Sequence, residues 1–322
     1  MRQFVSQHRI WLVRFAKLAI LALLAWGVRG TLLAAFHKLN QQGFRELIDW
    51  QPAWLCAAGG LYLLGILPCG MFWQRLLRAV GQENSLFQTV RAYYIGHLGK
   101  YIPGKAMVIV LRTGLLPRQA PLTAITVTIV FETLTMMAVG AGLGVCVLAF
   151  AGTSSSSRQG WWLLIALAMA AAAALPTFPP VFRWLLWQLR IGRKNPADLE
   201  RLVGLGYGSL ALGWSGIAVG WAITGTSLWA TVRGLGHEAG PFVESLPVYT
   251  AAVALATVAG FLSFLPGGAV VRELALTELL VLSGGLDQSL ALLAALAWRL
   301  AGLVAELIIS VILYLAGWRT RK

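Results

Sequence analysis

Charge is what this chain has least of. Only 12% of its 322 residues are Asp, Glu, Lys or Arg. A soluble protein of this length must solvate a large surface, so this scarcity excludes an ordinary water-soluble domain. Acids are scarcer still, 12 against 26 Lys and Arg, for a formal net charge of +14. Cysteine is limited to Cys56, Cys69 and Cys146, each in an apolar run and none at metal-ligand spacing. Neither a disulfide framework nor a metal site is expected. Four histidines are scattered without a paired arrangement. Gly-x-Ser-x-Gly, a phosphate loop and His-Glu-x-x-His are all missing. No long polar stretch could house a catalytic domain, so no catalytic residue, no cofactor and no enzymatic activity are assigned.

Apolar residues are abundant instead, at 58%, with a mean hydropathy of +0.73. Several runs exceed the roughly 18 apolar residues that suggest a bilayer-spanning helix. The expected fold class is all-α: a polytopic integral membrane protein, one transmembrane domain over residues 1–322. Basic residues gather in short loops between the apolar runs, as in the positive-inside pattern. The surplus charge therefore reads as membrane orientation rather than nucleic-acid binding. Some affinity for anionic lipid headgroups follows from it. Arg2, Arg9, Arg14 and Lys17 precede an apolar run with no clean cleavage site, so that run is expected to stay as a first helix.

Full spans are expected over residues 18–36, 53–73, 122–150, 161–178, 202–232 and 290–318. Trp50, Trp54 and Trp73 are placed as interface anchors. An amphipathic surface helix is expected from Phe182. Gly140, Gly142, Gly144, Gly204, Gly206 and Gly208 read as small-residue ridges for helix packing. Two further apolar stretches, 85–116 and 246–283, are interrupted, the first by Pro103-Gly104 and the second by Pro266-Gly267-Gly268. The basic N-terminus, the 75–91 loop, the 183–201 loop and the C-terminus all belong on one side, the cytoplasm. That parity closes only if both interrupted stretches return to the side they came from. The expectation is six full spans plus two re-entrant hairpins, one dipping in from each face.

The two interrupted stretches also align. Tyr101–Arg112 on Phe264–Ala275 places identical residues at 103/266, 104/267, 106/269, 108/271 and 111/274. Residues 53–150 and 202–318 then read as halves of an inverted repeat, an architecture that places substrate at the midplane between discontinuous helices.

Ionisable groups at membrane depth are costly and usually functional. Lys105 and Arg272 each follow a Pro-Gly break, where free N–H groups and the positive helix end also favour an anion. Arg299 and Glu306 lie seven residues apart on one face. Glu132, Glu273 and Glu306 are expected to balance the cations and gate access. His97, Lys100 and Arg112 are headgroup contacts or cations snorkelling toward the cytoplasmic surface. The expected ligand is the headgroup of an anionic phospholipid or a polyprenyl phosphate, held by these charges and by Pro103, Gly104, Pro266, Gly267 and Gly268.

The stretches HLGKYIPGKAMVIVLR, PLTAITVTIVFET, FLSFLPGGAVVRELAL and AALAWRLAGLVAE resemble the lysylphosphatidylglycerol synthase transmembrane-region, or flippase-like, family. Pro103-Gly104, Pro266-Gly267-Gly268, Glu132, Glu273 and Arg299 match its motifs. Thr133 stands where the family usually has an arginine. The resemblance implies movement of lipid across a bacterial inner membrane, with both termini cytoplasmic. The family's synthases carry a C-terminal aminoacyl-transfer domain. It is not expected here, so the activity is not carried over. The resulting expectation is a flippase-like lipid transporter. Its alternatives are a carrier of polyprenyl-phosphate-linked sugar or a small anion, and a non-catalytic accessory subunit. A homo-oligomer or a partner lipid-modifying enzyme stays open.

Overall fold

The computed structural model describes residues 49–102, 106–117, 119–150, 157–188, 207–263 and 265–319, together with Arg29 and Leu33. The rest of the expected first span (18–36), the tip Pro103-Gly104-Lys105, Phe264, and most of the basic 183–201 loop lie outside them. Among the described residues every regular element is helical. In chain order the α-helices are α1 Pro52–Ala79, α2 Leu86–His97, α3 Ala106–Leu115, α4 Leu122–Phe150, α5 Ser157–Ala174, α6 Pro179–Gln188, α7 Tyr207–Gly234, α8 Phe242–Leu262, α9 Val271–Gly284 and α10 Gln288–Arg319.

Helix ends follow local chemistry. Pro52 opens α1, where a missing N–H costs nothing. Ser85 and Gln88 form a reciprocal capping box on α2. Gly285, at φ +63°, ends α9, and Asp287 Oδ2 accepts from Ser289 N at 2.9 Å to begin α10. α6 is the expected amphipathic helix. Phe182 and Leu186 are buried one turn apart, while Trp184 and Trp187 face outward.

Among the described residues, five helices are long and apolar enough to cross a membrane: α1, α4, α5 with its continuation to Thr177, α8 and α10. α7 has 28 residues but is rich in Gly, Ser and Thr and is not among them. α8, expected as one arm of a re-entrant stretch, starts earlier than anticipated, at Phe242. Its 21 residues amount to about 31 Å of helix, enough to cross the hydrocarbon alone.

The tightest packing is between α1 and α7, which run antiparallel. Ser227 donates to the Ala58 carbonyl at 2.7 Å. Farther along, a Cβ on Gly220 would lie 2.5 Å from the Gly65 carbonyl oxygen. Such backbone approach is the usual device of membrane helices, which gain little from burying apolar surface in lipid. Gly140 and Gly144 on α4 instead make room for side chains, Trp221 and Leu255. Gly142 faces open space because it sits on the other side of the helix, and so does Gly208; Gly204 and Gly206 lie outside the described residues. Trp73 also departs from expectation. It is fully buried and donates to Thr128 Oγ1 at 3.1 Å, so it is a core residue rather than an interface anchor.

Each interrupted stretch folds as an antiparallel pair. α2 continues through a 3-10 turn, Leu98–Tyr101, and α3 returns along it, with Gly96 against Arg112 and Gly99 against the Val108 backbone. α8 is followed by a 3-10 turn, Pro266–Gly268, and α9 returns with Gly268 and the Arg272 Cβ against Gly260. The turns touch each other: a Cβ on Gly267 would lie 3.2 Å from the Tyr101 ring.

Replacing Gly220 with Leu is expected to cost roughly 1–3 kcal/mol by overpacking. Gly216→Leu, on the same helix but facing open space, is expected to leave thermal unfolding in detergent unchanged.

Candidate functional site

The site is built from charges that the helix pairs bring inside. Arg112, near the end of α3, is 2% exposed. It reaches the following helix, where Nη1 donates to Glu132 Oε2 at 2.8 Å. Tyr93 of α2 donates to the other oxygen of Glu132 at 2.9 Å, and its ring lies 4.0 Å from the guanidinium. Thr133 contributes only a 3.4 Å contact to Glu132. The cation that the motif puts beside Glu132 is thus supplied by Arg112, and Arg112 is a core residue that does not snorkel.

The C-terminal half repeats this arrangement with the signs exchanged. Glu273, in the first turn of α9, is paired with Arg299 on the following helix, α10. Both are buried. Glu273 Oε2 and Arg299 Nη2 have no partner, so the pair is joined through one contact.

Glu306 joins the two halves. It lies on α10 and is 1% exposed. Lys100 and the Tyr62 hydroxyl donate to Oε1, and Tyr101 donates to Oε2 at 3.0 Å. His97 Nε2 lies 3.6 Å from Oε1 and its ring stacks on Tyr93. The first 3-10 turn is thereby fastened to the last helix.

Arg272 differs from the other three cations. Among the described residues it forms no ion pair. Its guanidinium lies 4.6 Å from the Trp298 ring, and Nε is buried without a partner. It lines a cavity of about 460 Å3 between α1, α2, α3, α4, α7, α8 and the second turn. That volume is within the range of small-molecule sites. His97, Lys100, Arg112 and Glu132 also face the cavity. The exposed residues of its lining, Ala106, Val130 and Leu265, are all apolar. A small void of about 10 Å3 adjoins it past Tyr62, Lys100, Gly267 and Arg272, and Arg299 lines that void.

Of the expected site residues, Glu132, His97, Lys100, Arg112, Gly267, Gly268 and Arg272 come together around the cavity. Arg299, Glu273 and Glu306 stand behind it as ion-pair partners. Pro266 opens the second turn. Pro103, Gly104 and Lys105 lie outside the described residues. Four aromatic partners were missed: Tyr62, Tyr93, Tyr101 and Trp298. Their signal was the polar tip of a Tyr or Trp inside an apolar run, which needs a partner once buried.

Glu132→Gln is expected to strand Arg112 and destabilise the protein by about 3–5 kcal/mol. Adding Arg112→Met should recover most of that loss, as read by thermal unfolding of the two variants in detergent.

Comparison with known proteins agrees with a helical membrane protein. Among curated proteins, none matches the chain. The model of one family, described as the lysylphosphatidylglycerol synthase transmembrane region, matches residues 14–310. With nearly its whole length matched, the chain belongs to the lysylphosphatidylglycerol synthase transmembrane-region family.

Proposed function

We propose that the cavity receives the headgroup of an anionic lipid and that the protein carries it across the inner membrane, with no bond made or broken. One observation carries this reading. Arg272 faces the cavity with no carboxylate partner among the described residues, while Arg112, Arg299 and Lys100 each have one. An unmatched cation away from bulk water is costly, and an incoming phosphate would offset that cost. The N-terminus of α9 begins one residue before Arg272 and favours the same charge.

The shape of the site supports lipid over a free solute. Its exposed lining is apolar, which suits acyl chains that stay outside while the headgroup enters. A polyprenyl phosphate has the same two-part chemistry and belongs to the same reading. A purely organising subunit would pair all its inward-facing cations; the three paired ones suit that role, and Arg272 does not. The contact between the two turns suits hairpins dipping from opposite faces, with both termini cytoplasmic.

In proteoliposomes, the wild type is expected to speed the exchange of labelled phosphatidylglycerol between leaflets, and Arg272→Gln to slow it about tenfold or more, the value of a charge-assisted contact. Wild-type protein, correctly folded, that moves no anionic lipid faster than empty liposomes would sink the proposal. For the topology, Glu83→Cys and Glu238→Cys, exposed in the loops that lead into the two hairpins, in a background free of native cysteines should react with impermeant reagents from opposite faces. Reaction of both from one face would refute the inverted arrangement.

A further inference from the structure

Lys100 and Arg272 meet where the cavity joins the small void. Both line the two spaces together with Tyr62 and Gly267. Lys100 Nζ donates to the Tyr62 hydroxyl at 3.0 Å, and Arg272 lies within electrostatic reach of both groups. Two cations thus crowd one hydroxyl, and of the two only Lys100 is paired with Glu306. Lys100 is the more accessible member of its pair: its side chain is 20% exposed against 1% for Glu306.

The three ion pairs differ in what is left if the cation moves away. Arg299 is the ion-pair partner of Glu273, whose second oxygen has no hydrogen bond. Without Arg112, Glu132 would keep the Tyr93 hydroxyl and a long contact to Thr133. Glu306 without Lys100 would keep the hydroxyls of Tyr62 and Tyr101, one on each oxygen, with His97 at 3.6 Å. It is the carboxylate best able to give up its cation. Lysine is also suited to the move, being a point charge on a flexible stem rather than a planar fork.

We infer that Lys100 is a second ligand of the phosphate, exchanged from Glu306 to the headgroup as it enters beside Arg272. The inference rests on the headgroup reading and adds a consequence to it. Lys100 belongs to the 3-10 turn that Glu306 fastens to α10, so its transfer loosens that fastening. Arrival of the cargo leaves the Tyr101 hydroxyl as the contact of that turn on Glu306. The chemistry recognised is a phosphate ester, whether a lipid headgroup or a soluble glycerol phosphate.

The test is equilibrium binding of phosphatidylglycerol to the purified full chain in detergent, with phosphatidylcholine as the reference and glycerol phosphate as a soluble probe. Lys100→Met should weaken phosphatidylglycerol binding about tenfold and Lys100→Arg less than about threefold. Glu306→Gln removes the competitor and should tighten binding about threefold or more, and the double variant Lys100→Met/Glu306→Gln should resemble Lys100→Met. An anchor with no part in binding predicts the opposite. Glu306→Gln would then weaken binding as Lys100→Met does, in variants of unchanged circular dichroism, and that result overturns the exchange. Should Glu306→Gln not fold, crosslinking decides. Leu98 and Leu303 pack together across the first turn and α10. In a Leu98→Cys/Leu303→Cys variant, phosphatidylglycerol should slow crosslinking, and an unchanged rate overturns the exchange. Glycerol phosphate with the same Lys100 dependence would assign the exchange to the ester alone; lipid-only binding would assign it to the membrane headgroup. If wild type and Arg272→Gln bind phosphatidylglycerol no better than phosphatidylcholine, the headgroup reading itself falls, and the exchange with it.

Discussion

A charge taken out of water must find its opposite or neutralise, and the interior of this protein is arranged around that requirement. Each buried carboxylate ties together segments that apolar packing alone would leave loosely specified. Glu132 holds the end of α3 to α4, and Glu273 holds the start of α9 to α10. Glu306 holds the first 3-10 turn to the last helix. Small residues then allow close approach elsewhere, most clearly where Gly65 meets Gly220. The ions supply register and the glycines supply proximity, which suits a protein whose outer surface gains little from burial in lipid.

The second turn carries a backbone cost as well. Gly267 and Gly268 take positive φ, and so does Val270, at φ +71°. For a β-branched residue this conformation is a genuine outlier, of the kind that persists only where surrounding contacts impose it. It lies two residues before Arg272. The chain turns sharply there and starts α9 so that the guanidinium faces the cavity while the neighbouring carboxylate faces α10.

Much of this was legible in the residues. The run 122–150 coincides with α4, because nothing in it competes with a helix. Phe182 and Leu186 announced a one-sided helix, and the two Pro-Gly breaks announced turns inside apolar runs. Pairing was harder to read. Arg299 and Glu306 share a helix face, but seven residues is about 10 Å of rise, too far to share one partner. Each answers to a different hairpin. Thr133 in place of an arginine suggested a lost ion pair, yet Arg112 restores it from across the helix pair, twenty residues away in sequence. Trp73 looked like an interface anchor because it closes an expected span at residue 73, whereas α1 runs on to Ala79 and buries it. Such partnerships depend on how hairpins dock, which periodicity does not encode.

The distribution of ion pairs along the chain has a mechanical side. Arg112–Glu132 lies wholly in residues 53–150 and Glu273–Arg299 wholly in 202–318, so each half settles its own charges. The ion pairs that His97 and Lys100 make to the last helix both end on Glu306. The two segments thus share an ionic rivet there. Loss of that one carboxylate would remove both links at once and leave the two internal pairs in place.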